Sequence, residues 1–329
     1  MCTAISYKTS CHYFGRNLDL EYRYSETVTI TPRNFPFSFR MATTIDHHYA
    51  IIGMASVIDG YPLYYEATNE HGLSVAGLNF PGNAKYLDLK KGYLNIAPFE
   101  FIPWILAQYK TVSQARNHLS QINLVNVAFS DELPPSPLHW MICDSNESIV
   151  VEPTDDGIKV YENPVGVLTN NPPFDFQLYN LNNYLNLTHD EPKNRFANGL
   201  ALEPYSRGMG AIGLPGDLSS ASRFIRAAFT KCNSISDTTE NSSVSQFFHI
   251  LDAVTQQNGC VKVSGGFVKT IYSCCCNTDK CIYYYTTYDN RQITAVSLFQ
   301  TDLNANALTN FSLIETQQIR YENDTAPHG

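Results

Sequence analysis

The first twenty residues, from Met1 to Leu20, read MCTAISYKTSCHYFGRNLDL, and they decide how the rest of the chain is interpreted. Methionine aminopeptidases remove Met1 when the next side chain is small, so we expect the mature chain to begin at Cys2. That residue would then carry a thiol and a free α-amino group. An α-amino group titrates near pH ~8, so it can accept the thiol proton at neutral pH. Position alone favours the simpler interpretation, in which this cysteine is a small hydrophobic residue, and the following residues must decide.

The residues after Cys2 predict a strand that returns to the N-terminus. The segment Phe14-Gly15-Arg16-Asn17-Leu18-Asp19 lies about one strand length downstream. In a hairpin, alternation places Arg16 and Leu18 on one face and Asp19 on the other. A surface ion pair between Arg16 and Asp19 is the simpler interpretation of these two charges.

The composition restricts the class of protein. The 329 residues carry a net charge of −9, which argues against a nucleic-acid partner. The first twenty residues contain no apolar signal-peptide core, and no stretch approaches 18 apolar residues, so we expect neither secretion nor a membrane span. The nine cysteines are odd in number and lack the spacing of a small disulfide framework, so we expect reduced thiols in the cytoplasm. The 21 Tyr and 18 Phe indicate β-rich packing, which is compatible with a cleft for a bulky apolar ligand.

Short strands and a few helices alternate along the chain without a repeat or a linker. Hydrophobic periodicity and turn residues predict strands over 27–31, 49–53, 73–78, 138–143, 148–152 and 293–299, and a hairpin over 271–288. They predict helices over 98–107, 112–122 with Thr111 as N-cap, 219–231 with Ser219 or Ser220 as N-cap, and 243–256. This order suits antiparallel sheets covered by helices better than a βαβ series.

Several motifs in a fixed order resemble those of one known family. They are Met1-Cys2-Thr3, Gly15-Arg16-Asn17-Leu18-Asp19, Asn69-Glu70-His71-Gly72-Leu73, Gly77-Leu78-Asn79-Phe80, Leu168-Thr169-Asn170-Asn171-Pro172, Gly213-Leu214-Pro215-Gly216-Asp217 and Ser222-Arg223-Phe224. Together they resemble the choloylglycine hydrolases, N-terminal-nucleophile amidohydrolases that include bile salt hydrolases and penicillin V acylases. The resemblance is greatest to the bile salt hydrolases of Gram-positive gut bacteria. It implies an α+β fold, a four-layer αββα sandwich of two antiparallel sheets flanked by helices, in a single domain over residues 2–329.

The resemblance also implies a site of six residues. Cys2 would be the nucleophile, with its own α-amine as the base and later the acid. Asp19 would hold the α-amine, and Arg16 and Arg223 would lie beside the sulfur. The side-chain amide of Asn170 and the backbone N–H of Asn79, with its side chain as a second possibility, would bind the oxyanion. Without the resemblance, Arg223 would be a helix-surface charge and the two asparagines would be turn residues.

A substrate pocket is expected from the same resemblance. The apolar residues that align with the family's pocket loops are Leu18, Tyr24, Ile58, Tyr65, Phe129, Leu133 and Leu138. Core packing is the alternative for each of them. Phe129 directly precedes the proline-rich segment 130–137 and Leu133 lies within it, where an exposed loop gains little from apolar side chains unless a ligand covers them.

The expected activity is hydrolysis of the amide bond in glycine- or taurine-conjugated bile acids. The alternatives are an acylase for penicillin V or N-acyl homoserine lactones, and a binding protein that has lost catalysis on the same scaffold. We expect no cofactor and no metal, because adjacent residues of the Cys274-Cys275-Cys276 run point to opposite faces of a strand. The histidines at positions 47, 48, 71 and 139 show no metal-ligand spacing, so we interpret them as structural or surface residues. The asparagine-rich segment 180–213 matches the family's tetramer region, so a homotetramer is expected.

Overall fold

The computed structural model describes residues 1–323 and contains two large antiparallel sheets. The strands are, in chain order, β1 (Cys2–Lys8), β2 (His12–Leu20), β3 (Thr27–Thr31), β4 (Ile51–Ile58), β5 (Tyr61–Asn69), β6 (Ser74–Asn79), β7 (Leu94–Ile96), β8 (Ile122–Leu124), β9 (Leu138–Cys143), β10 (Ser148–Thr154), β11 (Gly157–Glu162), β12 (Val167–Leu168), β13 (Val261–Val263), β14 (Gly266–Asn277), β15 (Ile282–Thr287), β16 (Asn290–Ser297) and β17 (Thr309–Ser312). The α-helices are α1 (Phe101–Gln108), α2 (Val112–Leu119), α3 (Phe174–Asn180), α4 (Ser220–Asn233) and α5 (Glu240–Asp252). The last six residues of the predicted domain 2–329 lie outside the described part.

The order of the strands places the N-terminus on β1, an interior strand directly beside the edge strand of one sheet. The first sheet runs β12-β1-β2-β14-β15-β16, with β13 beside β14, and the second runs β11-β10-β9-β6-β5-β4-β3-β17. A short pair, β7 and β8, lies apart and is parallel. Strand β1 pairs along its length with β2, and with β12 at Ala4 and Ile5, so the strand is held on both sides just after Cys2.

Helices cover the outer face of each sheet, so the fold has four layers. Phe224 of α4 and Phe247 of α5 join a core that also includes Ile5 and Cys275 of the first sheet. A second core joins Phe101 of α1 to the second sheet. The two sheets face each other between these helical layers, and the predicted α+β sandwich is confirmed.

Local sequence signals place the starts of α2 and α4 correctly, whereas α1 begins at Phe101 rather than at 98 and α3 was not predicted. Thr111 caps α2, because its hydroxyl accepts a hydrogen bond from the Gln114 backbone N–H at 3.2 Å. Ser219 caps α4 in the same way, with a bond from the Ser222 N–H at 3.4 Å. No helix within residues 1–323 is long and apolar enough to cross a membrane.

Two predicted boundaries are wrong for identifiable reasons. The helix predicted over 112–122 ends at Leu119, because Ile122 starts β8 and pairs with Leu94. The helix predicted over 243–256 instead spans Glu240–Asp252, since Thr239 caps it by accepting the Ser242 N–H at 3.3 Å. In the first case a tertiary pairing overrides a local propensity.

Candidate active site

Cys2 occupies the first position of β1 and is almost completely buried, with 3% of its surface exposed. The β1–β2 hairpin pairs Cys2 with Leu18 and Ala4 with Arg16. Beyond the strand, the Asp19 backbone N–H donates to the Met1 carbonyl at 3.0 Å. The hairpin therefore returns Arg16 and Asp19 to the N-terminus, as the sequence predicts.

Arg16 and Asp19 lie on opposite faces of the first sheet. The Arg16 guanidinium reaches the second sheet, where its Nη1 donates to the Gly77 carbonyl at 2.6 Å and the Tyr65 carbonyl at 3.1 Å. The Asp19 carboxylate instead accepts the Thr270 hydroxyl at 2.6 Å and lies 4.0 Å from Arg223 of α4. Cys2 thus lies at the end of a strand between two arginines. Arg16 lies between the two sheets, and Arg223 lies on the other face, where α4 packs against the first sheet.

Asp19 has a free oxygen despite complete burial. Its Oδ1 receives the Thr270 hydroxyl, while its Oδ2 has no hydrogen-bond partner among the described residues. Burial raises the pKa of Asp19, although Arg223 and the nearby N-terminal ammonium act in the opposite direction. An unsatisfied buried carboxylate oxygen is uncommon and needs an explanation, such as a donor that is not yet in place.

Arg223 connects the start of β1 to Asn170. Its Nη1 donates to the Cys2 carbonyl and to the Thr3 hydroxyl, the latter at 2.7 Å. Its Nη2 donates to the Asn170 side-chain oxygen at 2.7 Å. Burial lowers the pKa of Arg223, opposed by Asp19 and Cys2. The arginine is fully buried, so the interpretation as a helix-surface charge is excluded.

Asn170 lies between Cys2 and Asn79 and bonds to both. Its Oδ1 accepts the Cys2 backbone N–H at 2.8 Å, and its Nδ2 donates to the Asn79 carbonyl at 2.7 Å. Oδ1 faces two donors and Nδ2 faces an acceptor, so the amide has a single consistent orientation. Only one of the two Nδ2 hydrogens is used in this way, which leaves the other for a ligand.

A residue that sequence reasoning missed, Glu66, forms an ion pair with Arg16. Its Oε2 lies 3.7 Å from the Arg16 Nε, and both side chains are at most 2% exposed. The hydroxyls of Tyr272 and Tyr283 donate to the two Glu66 oxygens at 2.7 and 2.6 Å. The Cys274 thiol adds a weaker contact at 3.5 Å. Burial raises the pKa of Glu66, while Arg16 and the two tyrosine hydroxyls oppose this.

One nitrogen of the Arg16 guanidinium is not used by the ion pair with Glu66 or by the two carbonyls. Burial disfavours the charge on Arg16, but the Cys2 thiol, Tyr272 and Glu66 outweigh this effect and raise its pKa. The Arg16 Nη2 has no hydrogen-bond partner among the described residues. An arginine held by two carbonyls and a carboxylate, with one nitrogen free near a thiol, is suited to stabilising a thiolate.

The predicted pocket residues fall into groups rather than one closed cavity. Leu18 is 3% exposed and belongs to the core between the sheets, while Tyr24 is 44% exposed. The Ser56 hydroxyl joins the Tyr24 carbonyl to the Tyr65 hydroxyl. The Phe129 ring packs against Tyr61 and Phe99 with centroids 5.9 and 5.3 Å away, and Tyr61 pairs with Ile58.

The remaining pocket candidates are close to Phe129 or Asn79. The backbone N–H of Phe129 donates to the Leu133 carbonyl at 3.1 Å, and Leu138 pairs with Asn79 across β9 and β6. Two polar cavities lie elsewhere and are lined by neither Cys2 nor these residues. Within residues 1–323, no cluster of three or more His, Cys, Asp and Glu side chains is arranged to hold a metal ion.

Comparisons with known proteins show the family of the chain. The sequence model of the linear amide C–N hydrolases, choloylglycine hydrolase family, matches residues 2–311. A relative named bile salt hydrolase/transferase from Lactiplantibacillus plantarum is 55% identical over 95% of this chain and 97% of its own length. A protein of the same name from Clostridium perfringens is 36% identical over 98% of this chain and 100% of its own length.

Solved structures of similar proteins superpose on this chain and therefore share its fold. A mutant of the conjugated bile acid hydrolase from Clostridium perfringens superposes with a TM-score of 0.91 at 35% identity, over 98% of this chain and 100% of that one. Penicillin V acylase from Agrobacterium tumefaciens gives a TM-score of 0.72 at 18% identity, over 94% and 90%. The second likeness is evidence for the fold alone.

Proposed function

Because the chain belongs to the choloylglycine hydrolase family and is an enzyme that hydrolyses linear amide C–N bonds, we propose that it cleaves glycine- or taurine-conjugated bile acids. The products are the free bile acid and the amino acid. The observation that carries the mechanism is the buried set of contacts around Cys2. Arg16 and Arg223 approach Cys2 from opposite faces of the sheet. The Asn170 side chain accepts the Cys2 N–H and donates to the Asn79 carbonyl.

In the proposed mechanism, removal of Met1 completes the site. The Cys2 nitrogen becomes an α-amine, and the unpartnered Oδ2 of Asp19 is the acceptor proposed to hold it. The α-amine takes the proton from the thiol and forms a zwitterion. The side-chain charges of Arg16 with Glu66, and of Arg223 with Asp19, already balance. The zwitterion therefore adds no net charge to a buried region, where an uncompensated charge would be costly.

The acyl-transfer steps follow from this arrangement. The Cys2 thiolate attacks the amide carbon, and negative charge develops on the carbonyl oxygen. The free hydrogen of the Asn170 amide and the Asn79 backbone N–H are the proposed oxyanion donors. The α-ammonium returns its proton to the leaving amine, and water then hydrolyses the thioester. No cofactor enters any of these steps.

The bile acid itself is proposed to contact Tyr24, Ile58, Tyr65, Phe129, Leu133 and Leu138, with Leu18 beneath the nucleophile. These side chains are aromatic or aliphatic, as a rigid steroid requires. They include no charged residue dedicated to the glycine or taurine tail. Recognition is therefore proposed to rest on the steroid, with both tails accepted.

The proposed catalytic unit is one domain over residues 2–329, working as a homotetramer in the bacterial cytoplasm. The site draws residues from both sheets and from α4, so neither sheet alone provides it. The segment 180–213 exposes large apolar side chains, among them Leu185 at 83%, Phe196 at 81% and Tyr205 at 85%. Exposed apolar side chains of this size in one segment support a surface that another subunit covers.

The test is release of glycine or taurine from glycocholate and taurocholate, detected with ninhydrin. We expect release by the wild-type protein and none by a Cys2→Ala variant. Penicillin V is assayed in parallel with the two bile salts, because an acylase for penicillin V is the nearest alternative function. Efficient cleavage of penicillin V with no cleavage of either bile salt would overturn the bile salt proposal. Binding of bile salts with no turnover of any amide would indicate a binding protein instead.

A further inference from the structure

His139 on β9 lies fully buried beside the proposed oxyanion residues, yet the mechanism above does not use it. Its Nδ1 lies 3.1 Å from the Glu152 Oε1, and its Nε2 lies 2.9 Å from the Thr169 carbonyl. Both partners are acceptors, whereas a neutral imidazole has only one N–H. A second proton must therefore lie between His139 and Glu152. The pair shares a proton in a place where no solvent reaches it.

The position of His139 in the chain connects it to both oxyanion residues. Its ring stacks on Phe80, the residue after Asn79, with centroids 4.2 Å apart and planes 5° from parallel. Its Nε2 bond goes to Thr169, the residue before Asn170. Strand β9 belongs to the second sheet, and Thr169 follows β12 of the first. His139 thus bridges the two sheets directly beside the bond between Asn170 and the Asn79 carbonyl.

Glu152 extends this bridge to the helix that holds Asn170 from the other side. Its Oε1 also accepts the backbone N–H of Phe174, the first residue of α3, at 2.9 Å. From α3, the Gln177 amide donates to the Asn170 carbonyl and accepts the Thr169 hydroxyl, the latter at 2.7 Å. The backbone at Asn170 is therefore held from two sides. His139 bonds to the preceding residue, Thr169, and Glu152 bonds to the start of α3, the helix whose Gln177 bonds to Thr169 and Asn170.

We propose that His139 and Glu152 act as a proton-sharing brace that sets the separation of Asn79 and Asn170, and with it the geometry of the oxyanion hole. The inference rests on the proposed function, since it assigns the oxyanion to these two asparagines. His139 and Glu152 are positioning residues, because neither touches the reacting atoms. Tetrahedral intermediates form in both acylation and deacylation, so a misplaced oxyanion hole slows both steps and lowers kcat.

The test uses His139→Gln, Glu152→Gln and the double variant, with kcat and KM measured on glycocholate per alkylatable Cys2. In Glu152→Gln, the one atom that replaces Oε1 cannot both accept the Phe174 N–H and donate to the His139 Nδ1. In His139→Gln, the single NH2 group cannot donate to both Glu152 and the Thr169 carbonyl in the places of the two ring nitrogens. We expect kcat to fall by about 10- to 100-fold, because a displacement of about 1 Å can cost about 10²-fold in rate. KM should stay within about threefold. The double variant should be no worse than the worse single one, as for two residues that act as a unit.

His12→Gln is the matched control. His12 is also buried and bonded at both ring nitrogens, to the Ser6 and Thr278 hydroxyls at 2.8 Å each, but it lies at the far end of the β1–β2 hairpin. It should change stability and leave kcat unaltered. The rate of Cys2 alkylation by iodoacetamide should stay unchanged in all three brace variants, which separates the brace from a general collapse of the site.

Either folded single variant with kcat within twofold of the wild type would overturn the brace. Equal losses of kcat in His12→Gln would overturn it as well, because the effect would then follow from any buried histidine. If the wild type cleaves penicillin V but no bile salt, the bile salt proposal fails. The same variants measured on penicillin V then still decide the brace.

Discussion

Replacing Asn170 by aspartate separates the two tasks that this side chain performs. An aspartate keeps an oxygen for the Cys2 N–H and for Arg223, which lie 2.8 and 2.7 Å from the present oxygen. It replaces the amide nitrogen, and therefore removes both the bond to the Asn79 carbonyl and the hydrogen proposed for the oxyanion. Loss of one oxyanion donor typically costs about 10²–10³ in kcat, or about 2.7–4 kcal/mol of transition-state stabilisation. We expect Asn170→Asp to lose activity by at least that factor.

The next residue provides an almost identical control. The Asn171 amide donates to the Pro81 carbonyl at 2.7 Å, two residues beyond Asn79, but makes no contact with Cys2. Asn171→Asp thus adds the same charge and removes the same kind of hydrogen bond one position away. Both variants are assayed on glycocholate, with rates normalised to the amount of alkylatable Cys2. A kcat for Asn170→Asp within tenfold of that for Asn171→Asp would refute the assignment of Asn170 to the oxyanion.

Three further predictions concern the pocket, the assembly and the stability of the protein. Phe129→Ala should lower kcat/KM by roughly 5- to 150-fold on both conjugates while their ratio stays constant, because about 1–3 kcal/mol of apolar contact is lost; a large loss for one tail only would show that this residue does not hold the steroid. Light scattering at micromolar concentration should give the mass of a tetramer, and a monomer mass would contradict the assembly proposed for segment 180–213. Burial lowers the pKa of His12 to about 4, so the unfolded chain takes up a proton below its ordinary value of 6.5 while the native protein does not. The free energy of unfolding should therefore fall by about 3 kcal/mol more in wild type than in His12→Gln as the pH drops from 6.5 towards 4, measured by urea unfolding, and parallel pH profiles would contradict this.

Local rules predicted the part of the site that a single hairpin builds. Strand alternation placed Arg16 and Asp19 on opposite faces, and the structure has them there. Asn79, Asn170 and Arg223 were reached only through the resemblance to a family. They converge on Cys2 from strands and a helix far apart in sequence, and no periodicity encodes that convergence.

Glu66 and His139 show what sequence reasoning could not supply. Glu66 lies in a strand with alternating polar residues, where a carboxylate is usually solvated. Its partners Tyr272 and Tyr283 are more than two hundred residues away, and they were interpreted as aromatic packing only. His139 was interpreted as structural because it has no metal-ligand spacing. The role proposed for His139 depends on its contacts with Phe80, next to Asn79, and with Thr169, next to Asn170. These contacts exist only in the folded structure.

The central claim is that Cys2, freed at its α-amine, carries the reaction. Stoichiometric alkylation tests it most directly, in a background where the exposed Cys232 and Cys260 and the partly exposed Cys11 are replaced by serine. Burial raises the pKa of the thiols of Cys143, Cys274, Cys275, Cys276 and Cys281, so these should react slowly. Intact mass should show active protein that begins at Cys2, and glycine release should fall in proportion to the fraction of Cys2 modified by iodoacetamide. Full activity with Met1 retained, or with Cys2 completely alkylated, would contradict the account.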